Sequence, residues 1–168
     1  MYKAVHRAIH AALKRADFRC VHASIQGNHI HLVCEAENKQ ALRSGVAGTK
    51  ISMAHWIKAA LRKRGLPCPG KVFAYRYHVR AITSPRQCRN ALAYVLNNWR
   101  HHGYDRRSNA AVDMYSSALC FDGWSHAGSI AVPDEYERLP VARPQTWLLR
   151  VGWLKHGAIA TSFVPKTH

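Results

Sequence analysis

The sequence predicts an α+β protein, a small antiparallel sheet with helices on one face and an irregular tail behind it. Two periodicities carry that expectation. Apolar residues alternate at 19–26, 29–36 and 72–82, as on strands, and recur every third or fourth position at 3–16, 39–64 and 84–103, as on helices. The order helix–strand–strand–helix–strand–helix suits a sheet whose helices gather on one side. Charge supplies the third observation. Residues 1–107 hold 20 Lys/Arg against 4 Asp/Glu, whereas 108–168 hold 5 against 5, within a net formal charge of +16. The expected division is therefore a domain at 1–107 and a tail at 108–168 with a short helix docking on it.

The first helix has Val5, Ile9 and Ala12/Leu13 as its apolar stripe. His6 and His10 lie one turn apart on it and receive no role. Next come two strands. Val21, Ala23 and Ile25 share one side of the first, and Gly27-Asn28 supplies turn chemistry before the second. On that second strand Ile30, Leu32 and Cys34 face one way and His29, His31 and Val33 the other. The helix at 39–64 is weakened at Gly45 and Gly48, with Ile51, Ala54, Ile57 and Leu61 expected to be buried. His55, Lys58 and Arg62 share another face, either a phosphate contact or ordinary solvated surface. A loop with Pro67 and Pro69 leads to the strand at 72–82. There Phe73, Tyr75, Tyr77 and Val79 oppose Arg76, His78 and Arg80. Interleaved aromatic and basic residues suit base stacking and phosphate contact, and equally a charged edge strand.

Ser84 is a good N-cap, Pro85 suits the first helical position, and Gly103 can close the last long helix. Cys88, Leu92, Val95 and Trp99 form its core stripe. Tyr94 and Asn98 lie four apart on the flank. Two imidazoles at i and i+2 on a strand can share a divalent ion, but with 12 His in 168 residues roughly one His-x-His arises by chance. Tyr94 is equally an amphipathic residue at the edge of a core. Beyond Gly103, Pro133, Pro140 and Pro144 break the tail into short pieces. Only residues 144–156 read as helical, with Trp124, Trp147, Leu148, Val151 and Trp153 available to dock.

Several classes are disfavoured. Five cysteines without a Cys-x-x-Cys pair argue for reduced thiols, not a disulfide framework or zinc knuckle. The N-terminus has no signal-peptide pattern and no apolar run spans a bilayer, so the expected location is the cytoplasm. Between Asn38 and Tyr104 no acid occurs while thirteen Lys/Arg do. That footprint fits a polyanion, most commonly nucleic acid. A membrane surface would want a broad apolar face opposite the charge.

Gly27-Asn28-His29-Ile30-His31-Leu32-Val33, then Phe73-Ala74-Tyr75-Arg76-Tyr77-His78, then Tyr94-Val95-Leu96-Asn97-Asn98 together resemble the single-tyrosine HUH transposases. Within that group the set is most similar to the REP-associated tyrosine transposases and their insertion-sequence relatives. His29-Ile30-His31 matches the family's His-hydrophobe-His. Tyr94 matches its nucleophile and Asn98 its further metal ligand. The order agrees over residues 2–103, and Ser116-Ser117-Ala118, Phe121-Asp122-Gly123-Trp124 and Thr146-Trp147-Leu148-Leu149 resemble one branch of the family.

The resemblance implies an antiparallel ferredoxin-like core and cleavage and rejoining of single-stranded or hairpin DNA through a 5′-phosphotyrosine at Tyr94. It also implies one Mg²⁺ or Mn²⁺ on His29, His31 and Asn98. A nucleic-acid-binding protein with a decayed site would explain the charge equally well, but it would not need Tyr94 and Asn98 at helical spacing beside a His pair. One departure is visible. In the family a strand precedes the first helix and lies beside the HUH strand, whereas here only Met1 and Tyr2 precede a helical pattern. The expectation is an N-terminally shortened chain with a gap in the sheet beside residues 29–35. That gap is either left open or filled by a tail segment or a second subunit in a homodimer.

Overall fold

The computed structural model describes residues 1–126, 130, 132, 134 and 136–165; Pro133 lies outside them. The first elements are helix α1 (Tyr2–Ala12), strands β1 (Phe18–Ile25) and β2 (Ile30–Ala36), and helix α2 (Lys39–Lys63). Then follow α3 (Pro85–Leu96), α4 (Asn98–His101) and, in the tail, α5 (Trp147–Arg150). The protein is α+β, with a two-stranded antiparallel sheet and an irregular tail.

β1 and β2 form the expected hairpin, Ile25 opposite Ile30, with the Gln26 N–H bonded to the His29 carbonyl at 2.9 Å. A bulge between Cys20 and His22 resets the alternation of β1. Cys20, Ala23, Ile25, Ile30, Leu32 and Cys34 consequently pack with Val5, Ala8 and Ile9 of α1 and Met53 of α2. Val21 and Val33 join the opposite core with Cys88, Leu92 and Val95 of α3. Helices α1 and α2 thus share one face of the sheet, and α3 with the tail covers the other.

Of the side of α2 expected to be buried, only Ile57 is fully so. Ala41, Gly45, Thr49, Met53 and Ile57 face inward, while Ile51 is 70% exposed. The cause is Phe18, fully buried against the bare backbone at Gly45, where a Cβ would stand 2.2 Å from its ring. That contact rotates the helix so that the i, i+4 line through Gly45 lies underneath.

The strand expected at 72–82 is not formed. Its start is held to α2, where Lys58 donates to the Gly70 carbonyl and Lys50 to the Tyr75 carbonyl, each at 2.7 Å. Residues 74–81 are exposed, with Tyr75 at 86%. Among the described residues the backbone of β2 bonds only to β1, so its outer edge stays unpaired and this segment does not occupy it. Tail segments instead line the far edge of β1, where Ile25 N–H bonds to the Tyr115 carbonyl and Ala142 N–H to the Cys20 carbonyl.

The tail is anchored by polar stitches as well as by apolar packing. Residues 144–156 are not one helix but the short α5 followed by a 3₁₀ turn at Gly152–His156. The buried Glu35 carboxylate of β2 receives the Gln145 N–H, the Thr146 N–H and the Thr146 hydroxyl at 2.7–3.1 Å. Arg89 and Arg100 donate to the tail carbonyls of Gly157, Ala158 and Thr161. Trp124, Leu149, Trp153 and Ile159 complete the α3-side core, whereas Trp147 and Val151 remain about half exposed.

Candidate functional site

The hairpin and the α3–α4 junction bring four of the singled-out side chains together. α3 starts as its residues dictate. The Ser84 hydroxyl accepts the Gln87 N–H at 3.3 Å, and Gln87 Oε1 accepts the N–H of Thr83, the residue before the cap, at 2.9 Å, with Pro85 in the first turn. At Asn97 the helix pauses. Its buried side chain donates to the Ala160 and Phe163 carbonyls, and α4 then carries on to Gly103, whose φ of 70° ends it. This anchoring leaves Tyr94 half-buried and Asn98 fully buried, both turned toward the strand that carries the His pair.

The His29 and His31 rings lie 4.7 Å apart between centroids, and the Tyr94 ring stands 5.1 Å from that of His31. The Asn98 amide donates to His29 Nε2 at 3.2 Å, and on the other side His29 Nδ1–H donates to Asn28 Oδ1 at 2.6 Å. Asn28 therefore fixes the tautomer that leaves the Nε2 lone pair pointing at Asn98. Burial, and then His102, hold the His29 pKa below its ordinary value; burial, His29 and His102 push that of His31 down to about 4. Both imidazoles are neutral at pH 7, which is the form that binds metals.

Two atoms here are buried without any hydrogen-bond partner, His31 Nε2 and Asn98 Oδ1. Leaving a buried acceptor unpaired costs about 1–3 kcal/mol, so such atoms mark a missing ligand or a strain reservoir. A half-turn of the Asn98 amide exchanges its nitrogen and oxygen and aims Oδ1 at the space beside His29 Nε2. Two imidazole rings and one carbonyl oxygen are then gathered here, and with His31 in the tautomer that leaves Nε2 bare they form a donor set that fits a small divalent cation. Among the described residues no three His, Cys, Asp or Glu side chains gather closely enough to hold a metal, so a cation here would depend on the amide of Asn98.

His101, His102 and Tyr104 also belong to this cluster, and the motif reading missed them. The His102 ring is 5.1 Å from His29 and 5.9 Å from Tyr104, and His101 is 6.0 Å from Tyr94. The available signal was spacing, since His102 lies one turn beyond Asn98. The remaining singled-out residues are elsewhere. Arg76, His78 and Arg80 lie on the exposed segment outside the sheet; Lys58 is tied to Gly70, and Arg62 is exposed near the end of α2.

The family described as Transposase IS200 like matches residues 1–98, which end on Asn98 and so include His29, His31 and Tyr94. Neither a curated protein nor a solved structure matches the chain. No helix among the described residues is long and apolar enough to cross a membrane.

Proposed function

The chain belongs to the IS200-like transposases, and from that membership we propose that it cleaves and rejoins single-stranded or hairpin DNA through a covalent phosphotyrosine, in the manner of the REP-associated branch. The observation that carries the reading is the convergence of Tyr94 with His29, His31 and a buried, partly unpaired Asn98.

The Tyr94 oxygen attacks a backbone phosphorus and forms a P–O bond while the bond to the 3′ oxygen breaks. The phenolic proton passes to solvent or a neighbouring base, and the leaving 3′ oxygen takes up a proton. The product is a 5′-phosphotyrosine and a free 3′-hydroxyl. The ester bond is conserved, so a later 3′-hydroxyl can reverse the step and join strands. His29, His31 and Asn98 would hold the Mg²⁺ or Mn²⁺, which polarises the scissile phosphate and offsets developing charge when bound. The chain's own contribution is placement. Asn28 sets the tautomer of His29, and the Asn97 anchor fixes α4 so that Asn98 meets the hairpin. Arg62, Arg76 and Arg80 are exposed cations available to the strand, with His78 beside them.

The test is a covalent adduct on a denaturing gel with single-stranded hairpin DNA. Parent protein should form it, and Tyr94→Phe should not, while keeping DNA binding within about twofold. Adduct from the Phe variant would assign the nucleophile elsewhere.

A further inference from the structure

A cavity of about 500 Å³ opens beside the candidate site, between the β1–β2 turn and the segment after α4. Trp99, Tyr104 and Tyr115 form aromatic parts of its wall, Gln26 and Asp113 polar ones, and Arg107 lies at its margin. Its polar groups are unevenly used. Asp113 accepts from the Tyr115 N–H at 2.8 Å, from Gln26 Nε2 at 3.1 Å and from the Ser24 hydroxyl at 3.4 Å. A carboxylate offers about four acceptor positions, so one is spare. Gln26 spends both amide hydrogens, on Ser24 and Asp113, while its Oε1 accepts nothing. The Trp99 indole N–H is buried with no acceptor. The cavity thus has spare acceptors at Gln26 and Asp113 and flat aromatic surfaces around them.

We propose that this cavity receives one unpaired nucleobase bearing an exocyclic amino group, adenine, cytosine or guanine, from a nucleotide flanking the phosphate held at Tyr94. The proposal rests on the strand-cleavage reading for its position. Gly27 lines the cavity two residues before His29. Tyr104 lines it too and stacks toward His102, itself next to His29. A strand with its phosphate at the His pair therefore has a neighbouring base within reach. Aromatic walls bind any base by stacking, but two spare acceptors reward the two hydrogens of an amino group, where thymine offers only its N3–H. Arg107 is an exposed cation that suits the adjoining phosphate.

The experiment is an NMR titration of the ¹⁵N-labelled full chain with dAMP, dCMP, dGMP and TMP, and with inorganic phosphate as a separate arm. The Trp99 indole and Gln26 side-chain amide should shift saturably with the first three. TMP should bind at least about fivefold more weakly, consistent with a lost hydrogen bond. A Tyr104→Ala/Tyr115→Ala variant should weaken binding about tenfold through lost stacking; these rings are 49% and 61% exposed, so their loss spares the core. Silence at both reporters, an equal response to TMP or to phosphate, or no change in the double variant would overturn the proposal. The adduct assay on the same preparation keeps the two claims apart. Adduct with a silent cavity discards the cavity alone, whereas a responding cavity without adduct supports it and discards the cleavage chemistry.

Discussion

At the scale of single residues, the unpaired His31 Nε2 and Asn98 Oδ1 are the buried groups that a ligand at the proposed site would satisfy. His29→Ala and His31→Ala should each reduce adduct below detection, because a three-ligand site stripped of one ligand holds Mg²⁺ too weakly. Cleavage by the parent that persists in excess EDTA would contradict this. A second prediction concerns His22, buried beside Ser117, whose hydroxyl lies 3.1 Å from His22 Nδ1 and accepts the Ala23 N–H at 3.0 Å. Burial pushes the His22 pKa from 6.5 down to about 4, with Asp122 opposing weakly. Between those values the unfolded chain binds a proton that the folded one refuses. The stabilisation is therefore complete above pH 6.5 and is lost as pH falls toward 4, by roughly 2–3 kcal/mol. Melting temperature should drop steadily between pH 7 and pH 5, and less so in His22→Gln. An identical pH slope in the variant would remove His22 as a cause.

At the scale of elements, α2 offers a matched pair. A Cβ at Gly45 would lie 2.2 Å from the Phe18 ring, whereas at Gly48 nothing stands within 4 Å. Both substitutions to Ala gain about 1 kcal/mol of helix propensity. Gly48→Ala should therefore stabilise by about 0.5–1 kcal/mol and Gly45→Ala should destabilise by about 1–3 kcal/mol, since overpacking outweighs propensity. Denaturant midpoints that move together would refute the Phe18 contact. Helix positions and the facing of Ile30, Leu32 and Val33 were legible in the sequence because they follow from local period alone. The buried side of α2 was not, because one glycine under one phenylalanine decided it. The strand expected at 72–82 failed for a similar reason. Alternation says a segment fits a sheet, but not that it will pair, and the open edge of β2 is left without it. The convergence of His29, His31, Tyr94 and Asn98 was legible through the order of motifs; His101 and His102 entered on α4 and its end, and only Tyr104 through the turn at Gly103. The open side of β2 is itself measurable. In hydrogen exchange, every second amide of Ile30–Ala36, those facing away from β1, should exchange much faster than its neighbours. Uniform protection would mean that a second chain or segment pairs there in solution.

At the scale of the whole molecule, the two parts of the chain divide the labour of charge. The acids of the first 107 residues include Asp17, Glu35 and Asp105, each within 4.0 Å of an arginine, and Glu35 is also spent on the tail. The tail uses Arg89 and Arg100 as struts through carbonyl groups; Arg89 keeps its charge unneutralised, whereas Arg100 also pairs with Asp105 at 3.0 Å. The result is a surface whose cations are largely uncompensated, within a net formal charge of +16. Binding to a polyanion should then be dominated by release of condensed counterions, with log affinity falling by about 0.7 per phosphate contact per tenfold rise in salt for single strands. Six such contacts would lower affinity by roughly 300-fold between about 50 and 200 mM salt. Arg76→Ala and Arg80→Ala, on the exposed segment, should each weaken binding to all sequences alike and flatten the salt slope by about 0.7. Fluorescence anisotropy with a labelled single-stranded hairpin, across a salt series, measures all three slopes on one substrate. A steep slope unchanged by either variant would place the phosphates on another face, with Lys63 and Arg64 at the end of α2 as the next cations to remove. A flat slope in the parent protein would mean that phosphate contacts do not drive its affinity.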